Sequence, residues 1–394
     1  MQRIFLDHNA TTPIRTEVRE KMLPFLGELF GNPSSAHSFG QEVKVHLDEA
    51  RQRIADQLGA SVNEIIFTSG GTESDNAALK GVALAAGSGH IVTTVIEHPA
   101  VMQSASYLAK KGFDVTYVEV DSGGVVDPED VRRAIRPDTI IVSVMHLNNE
   151  VGVIQPIEEI SMITREAGVP LHTDAVQSFG KLPTKVDDLG VDLISVAAHK
   201  IYGPKGIGVL YVRKGTRIDP LIIGGAQEKR RRSGTENVIG IVGFGEAIRL
   251  AEVEREQVFQ NLEGLRKRFV DGLVERIPQI TINGDPERTF PSTISASVAR
   301  VEGESLLLSL DMEGIAVSTG SACSSGSLEP SHVLVAMGID TVLAQGTLRF
   351  SMGRGTTGED VDRVLEVFPP VVERLRAMSP LGAEWSAGVG GPTC

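Results

Sequence analysis

A mainly parallel α/β sheet with helices on both faces, joined to a smaller α+β unit, is the fold this 394-residue sequence predicts. Three observations point there. Short apolar, β-branched runs alternate with helical segments between about residues 64 and 212, the pattern of βαβ units. Glycine is frequent, with 42 residues, as tight βα turns require. The composition is 41% apolar and 23% charged, that of an ordinary globular chain with a substantial core, and the length suits roughly two or three domains.

Taken in order, the chain starts with a short strand-like stretch, then Thr11-Thr12-Pro13, a helical segment and loop residues Gly31-Asn-Pro-Ser-Ser35. Gln41 to Leu58 reads as an amphipathic helix that Gly59 stops. Glu64–Thr68 is a strand that runs through Ser69-Gly-Gly-Thr72 into a helix. Further strands are expected at His90–Ile96, Asp114–Val120, Thr139–Met145, Pro170–Asp174, Asp192–Ala198 and Gly208–Val212. Helices near 99–111, 128–135 and 156–167 separate several of them. Residues 213–235 are loop-rich, and a long helix from about Asn237 to Arg276 connects to the second unit. There strands are expected at Thr281–Asn283, Thr293–Val298 and Thr347–Met352, and helices at Gly303–Leu310 and Gly358–Met378. The expected division is an arm at 1–15 that contributes to the small domain, a large domain at 16–250, a small domain at 251–380 and a flexible tail at 381–394. No internal repeat is visible.

The formal charge of −13 argues against sequence-independent binding to nucleic acid or an anionic membrane. Lys229-Arg-Arg-Arg232 is a local exception, read as a solvated or phosphate-facing turn. Two cysteines, Cys323 and Cys394, make no disulfide framework. The first residues lack the apolar stretch of a signal peptide, and no apolar run is long enough to span a bilayer. The expectation is a soluble, cytoplasmic protein.

Chemistry concentrates where strands end, the place where open α/β sheets bind ligands. Asp192–Ala198 runs into His199-Lys200 and a Gly/Pro-rich turn. A lysine at the end of a buried strand is costly when charged, and its neutral amine is a nucleophile toward aldehydes. The plainer reading is a lysine whose stem is buried and whose amine reaches water. Asp174 ends the strand one unit earlier. A carboxylate set against a pyridine nitrogen keeps that nitrogen protonated and lets the ring accept electrons; the plainer reading is a helix cap. Both residues meet at one sheet edge, which suits a flat ring such as pyridoxal 5′-phosphate. Ser69-Gly-Gly-Thr72 opens a helix, where free N–H groups make an anion cradle. His98, in Glu97-His-Pro99, suits stacking and proton transfer, or merely starts a helix. Asn149 suits a hydrogen bond to a phenolic oxygen, or merely a turn.

Ser321-Ala-Cys323-Ser-Ser-Gly-Ser327 sets a thiol among small residues, as in a mobile loop rather than a core. Its ordinary pKa is about 8.5, so reactivity needs a nearby base or cation. Cys394, on the tail, receives no role. In Thr347–Met352, alternation puts Arg349 on the face opposite Leu348 and Phe350, and its planar fork suits a carboxylate. Arg354 is the weaker candidate for that clamp.

Taken together these motifs, with Leu6-Asp-His-Asn-Ala-Thr-Thr-Pro13, Asn148-Asn-Glu-Val-Gly152, His172-Thr-Asp-Ala-Val-Gln177 and Arg232-Ser-Gly-Thr-Glu-Asn237, resemble the NifS/IscS class of cysteine desulfurases. That class belongs to the class V aminotransferases, pyridoxal phosphate enzymes of fold type I. The resemblance covers nearly the whole chain. It implies Lys200 as the Schiff-base lysine, Asp174 as the pyridinium partner, His98 stacked on the ring, and Asn149 and Gln177 near its phenolic oxygen. Gly71, Thr72 and His199 would hold the phosphate, with Thr235 reaching in from the second subunit of a homodimer. Arg349, helped by Asn32, would bind the substrate carboxylate, and Cys323 would accept sulfur from L-cysteine. Ala197 departs from the pattern: relatives usually carry serine there, and its hydroxyl donates to the phosphate. The implied partner is an iron–sulfur scaffold or another sulfur acceptor. No metal is expected in the free protein, with Cys323 at most a transient cluster ligand on a scaffold. A selenocysteine lyase or small aminotransferase of the same fold is the alternative enzyme, and a sulfur-trafficking scaffold or regulator the non-enzyme alternative.

Overall fold

The computed structural model describes residues 3–319 and 330–378. Cys323, Cys394 and the expected tail lie outside the described residues. The large sheet has seven strands in the spatial order Ile65–Thr68, Gly208–Val212, Leu193–Ala197, Leu171–Asp174, Thr139–Ser143, His90–Thr94 and Asp114–Val118. All share one direction except Gly208–Val212, which is antiparallel to both neighbours. The reason is chain length. A parallel return needs a crossover of about a dozen residues or more, and the link from Ala197 to Gly208 is shorter.

Alternation along these strands feeds two cores. Ile91, Ile141, Leu193 and Leu210 pack against Ala78, Leu79 and Val82 of helix Gly71–Ala86 and Val101, Ala105 and Leu108 of helix Pro99–Ala109. Val92, Val142, Ile194 and Val209 belong to the opposite core, with Leu58, Phe179 and Phe244. Burial on both faces is why these strands read as continuous apolar runs. The edge strand Asp114–Val118 is mostly half-buried.

Helix Val238–Arg276 has 39 residues, a length of about 58 Å at 1.5 Å per residue. Ile241, Phe244 and Ile248 pack into the large sheet's core, while Leu262, Phe269 and Leu273 pack into another. That further core lies against a four-stranded antiparallel sheet ordered Ser318–Thr319, Thr347–Ser351, Thr293–Val298, Ile280–Asn283. Phe350 sits between Phe269 and Phe368, with edge-on ring centroids 5.1 and 5.5 Å apart. The N-terminal strand Ile4–Phe5 pairs in parallel with Ile315–Ala316, and Asp7 bridges Ser351. The following residues, Asn9 and Ala10, thereby reach the carboxyl ends of the large sheet.

Candidate active site

One cavity collects side chains from the carboxyl ends of five parallel strands. Gly71 and Thr72 follow strand Ile65–Thr68, His98 follows His90–Thr94, Asn149 follows Thr139–Ser143, Asp174 ends Leu171–Asp174, and His199 and Lys200 follow Leu193–Ala197. Asn9, Ala10, Asp75, Met145, Val176, Gln177, Ala197 and Arg349 complete the wall, around about 310 Å³. Glycine is required at two approaches: a Cβ on Gly71 would meet Val176 Cγ2 at 2.6 Å, and one on Gly208 would meet the Gly70 backbone at 2.7 Å.

Lys200 ends the short turn Ala198–Lys200 and is partly buried. Its Nζ donates to the Asn9 carbonyl at 2.5 Å and the Ala10 carbonyl at 2.8 Å. The turn beyond it is held by Tyr202, whose φ of 64° is left-handed. Tyr202 N donates to Thr12 Oγ1 at 2.7 Å, and its hydroxyl accepts from Arg354 N at 2.6 Å. That contact, and an ion pair with Glu254, occupy Arg354 away from the cavity.

Asp174 is buried, and its Oδ1 accepts from Val176 N at 2.9 Å. Burial raises its pKa, while the nearby His98 and Lys200 pull the other way. Asp75, His98 and Asp174 place ligand atoms within 4.8 Å of one another. Burial and then Asp174's charge raise Asp75 as well. His98 caps helix Pro99–Ala109: its Nδ1 accepts from Ala100 N at 3.1 Å, which puts the proton of the neutral ring on Nε2. Burial lowers its pKa, so the ring is neutral at pH 7. His98 therefore starts its helix, as the plainer reading has it, and its ring also lines the cavity. His199 is lowered to about 4, first by burial and then by Lys200.

Arg349 is buried; it donates to the Asn149 carbonyl at 2.9 Å and Asp7 Oδ1 at 2.8 Å, and its Nε meets no partner among the described residues. Gln177 Nε2 donates to the Asn9 carbonyl at 2.9 Å. Two expected residues are not brought to this cavity. Asn32 is exposed, its Oδ1 accepting from Ser34 N, and Thr235 is exposed as well. Cys323 lies outside the described residues, but the segments on either side of it meet the site. Ser318 pairs with Arg349 across the sheet, Ser331 donates to Glu150, and His332 Nε2 approaches the Glu97 carbonyl at 3.0 Å. The basic turn is tied down rather than merely solvated. Arg232 pairs with Glu73 at 2.9 Å, and Glu228, Lys229 and Arg230 all have positive φ.

Sequence reasoning gave no role to Asp7, Asn9, Asp75 or Lys181. Asp7 and Asn9 lie within a quoted motif, but only the fold carries that arm across to Arg349 and Lys200.

The residues fit pyridoxal phosphate on the structure's own terms. Asp174, a buried carboxyl whose pKa burial raises, faces the cavity, and a cation against it would offset that burial. The helix that starts at Gly71 opens on the same cavity with first-turn N–H groups that no side chain among the described residues caps, where only glycine leaves room beside Val176. The amine of Lys200 stands on the same wall.

Fold and site together define an α/β protein with an amine-bearing ligand pocket at the carboxyl edge of its sheet. The chain belongs to the class-V aminotransferase family, whose model matches residues 4–364. It is 53% identical over 386 residues to cysteine desulfurase IscS of Dictyoglomus turgidum, covering 98% of both chains. Cysteine desulfurase IscS of Methanosarcina thermophila is 52% identical over 380 residues, covering 96% of this chain and 94% of that one. Among solved structures, a NifS-like protein superposes with a TM-score of 0.90 at 42% identity, covering 95% of this chain and 100% of that one. These neighbours bear out the resemblance read from the motifs. Among the described residues, no helix is long and apolar enough to cross a membrane.

Proposed function

We propose that this protein is a cysteine desulfurase that uses pyridoxal 5′-phosphate, converts L-cysteine to L-alanine and leaves the sulfur as a persulfide on Cys323. The observation that carries the reading is the meeting of Lys200, Asp174, His98 and Arg349 on one cavity, in a chain similar over its whole length to proteins named cysteine desulfurase. A structural neighbour at 36% identity and a TM-score of 0.80, described as SspA in complex with cysteine, supports the substrate class.

When bound, the coenzyme supplies an aldehyde that takes up an amino group and a ring that accepts electrons. Lys200 Nζ would be the amine for the aldehyde and the base for the substrate's α-proton. Asp174 would hold positive charge on the ring nitrogen. The N–H groups of Gly71 and Thr72, with His199, would take the phosphate, and Gln177 and Asn149 the phenolic oxygen. His98, neutral with its proton on Nε2, would exchange protons with substrate. Arg349, aimed by Asp7 and the Asn149 carbonyl, receives the substrate carboxylate. The Cys323 thiolate attacks the substrate sulfur: an S–S bond forms, the Cβ–S bond breaks, and its electron pair stays on carbon and is protonated to give alanine.

Thr235 and Asn32, both outside the cavity of their own chain, fit the reading that a homodimer completes the site. The sulfur acceptor in this reading is an iron–sulfur scaffold or another thiol-bearing protein. The test is incubation of the coenzyme-loaded protein with L-cysteine and a reductant. Equal amounts of alanine and sulfide are expected, and Cys323→Ser abolishes both. Unchanged alanine from Cys323→Ser, or a keto acid in place of alanine, would overturn the proposal in favour of lyase or aminotransferase chemistry.

A further inference from the structure

A second lysine stands behind the first. Lys181 lies four residues after Gln177, and its Nζ donates to Gln177 Oε1 at 3.3 Å. Gln177 Nε2 donates to the Asn9 carbonyl at 2.9 Å, and Lys200 Nζ donates to that same carbonyl at 2.5 Å. One chain of hydrogen bonds thus runs from Lys181 through Gln177 and Asn9 to Lys200. Lys181 also lines a smaller cavity, of about 70 Å³, on whose wall Lys200 stands as well, with His8, Arg15, Tyr202, Glu254 and Arg354.

A carboxamide end is nearly symmetric in shape, and only its partners decide which way it points. At Gln177 the choice matters, because one orientation offers N–H groups inward and the other a carbonyl. The protonated Lys181 amine only donates and the Asn9 carbonyl only accepts, so the two partners together favour one orientation: Oε1 toward Lys181, Nε2 toward Asn9 and the cavity. The position is unfavourable for a lysine in itself. Lys181 forms no salt bridge among the described residues, although Arg15 and Arg354 across the small cavity share Glu254. Loss of hydration on burial lowers its proton affinity to about 7, and Lys200 adds a smaller push in the same direction.

We propose that Lys181 is a positioning residue for the coenzyme: with the Asn9 carbonyl it locks the Gln177 carboxamide so that the remaining Nε2–H faces the phenolic oxygen of the ring. This rests on the reading of the large cavity as the pyridoxal phosphate site. It assigns Lys181 no contact with the reacting atoms.

The test is a titration of the apoprotein with pyridoxal phosphate, followed by visible absorbance, for Lys181→Met, Lys181→Arg, Gln177→Leu and the Lys181→Met/Gln177→Leu double variant. Methionine matches the lysine stem in length and leaves no charge unpaired, so folding is expected to survive; thermal melting of each apoprotein checks this. The account expects Lys181→Met to weaken binding about 5- to 30-fold, the loss of one hydrogen bond to a correctly turned amide. It expects Lys181→Arg, which keeps a pure donor, to bind within about threefold of wild type. In the Gln177→Leu background, Lys181→Met should have no further effect. Wild-type affinity in Lys181→Met, or an undiminished further loss in the double variant, would overturn the proposal while leaving the coenzyme site intact. Should the wild-type protein itself bind no coenzyme, the underlying reading fails and this one falls with it.

Discussion

Glu97, immediately before His98, is fully buried. Its Oε1 accepts from Thr94 Oγ1 at 2.8 Å and Met145 N at 2.9 Å, while Oε2 meets no partner among the described residues. An ionised carboxylate there has half its charge unsolvated, and burial pushes its pKa up to about 8 from an ordinary 4.5. A group whose folded pKa is raised stabilises the fold fully below its unfolded pKa, and that contribution is lost as pH rises through the folded pKa. For Glu97 the window is pH 4.5 to 8, with a slope of at most about 1.4 kcal/mol per pH unit. The accumulated loss is about 3 kcal/mol by pH 7 and about 5 kcal/mol at the top of the window.

Glu97→Gln removes the titration and keeps the shape. Its Oε1 still accepts both hydrogen bonds, and the amide NH₂ that replaces Oε2 adds a penalty that does not change with pH. The stability of Glu97→Gln relative to wild type is therefore expected to rise steadily from pH 5 to 8 and to level off above. Other titrating groups, such as His146, lowered to about 4 by burial, cancel in the difference. Urea unfolding of both apoproteins at unit pH steps measures it. A difference that stays flat across this range would mean that Glu97 is ionised in the folded protein, and the burial argument would fail.

Ala197→Ser should tighten pyridoxal phosphate binding by roughly 5- to 30-fold, one hydrogen bond regained, as read by titrating the apoprotein; equal affinities would show that Ala197 removes nothing. Asp7→Ala should free the Arg349 guanidinium and raise KM for L-cysteine about tenfold with kcat little changed, since Asp7 holds one of the two hydrogen bonds that aim it. A fall in kcat at constant KM would place Asp7 in the chemistry instead.

Much of this site was legible because most of its parts sit where a strand ends. Asp174 closes Leu171–Asp174 and Lys200 follows Leu193–Ala197, and both strands announce themselves as apolar runs buried on two faces. The long helix Val238–Arg276 was equally plain, starting one residue from the expected position. What escaped has a physical reason. Ile315–Ala316 and Ser318–Thr319 have two residues each, and helices His332–Ala336 and Thr341–Gln345 five each, too short to show a period. The antiparallel direction of Gly208–Val212 is set by the length of the turn before it, not by its own residues. Lys181 looked like any lysine after a glycine. Its importance arises only where the N-terminal arm brings the Asn9 carbonyl between Gln177 and Lys200.

The central claim is that Lys200 carries the coenzyme. Borohydride reduction of the loaded protein followed by peptide mass mapping tests it directly, because reduction fixes the coenzyme to whichever amine holds it. The account predicts the added mass on the Lys200 peptide and none on the Lys181 peptide. Coenzyme fixed at Lys181, or scattered over surface lysines with Lys200 unmodified, would contradict it.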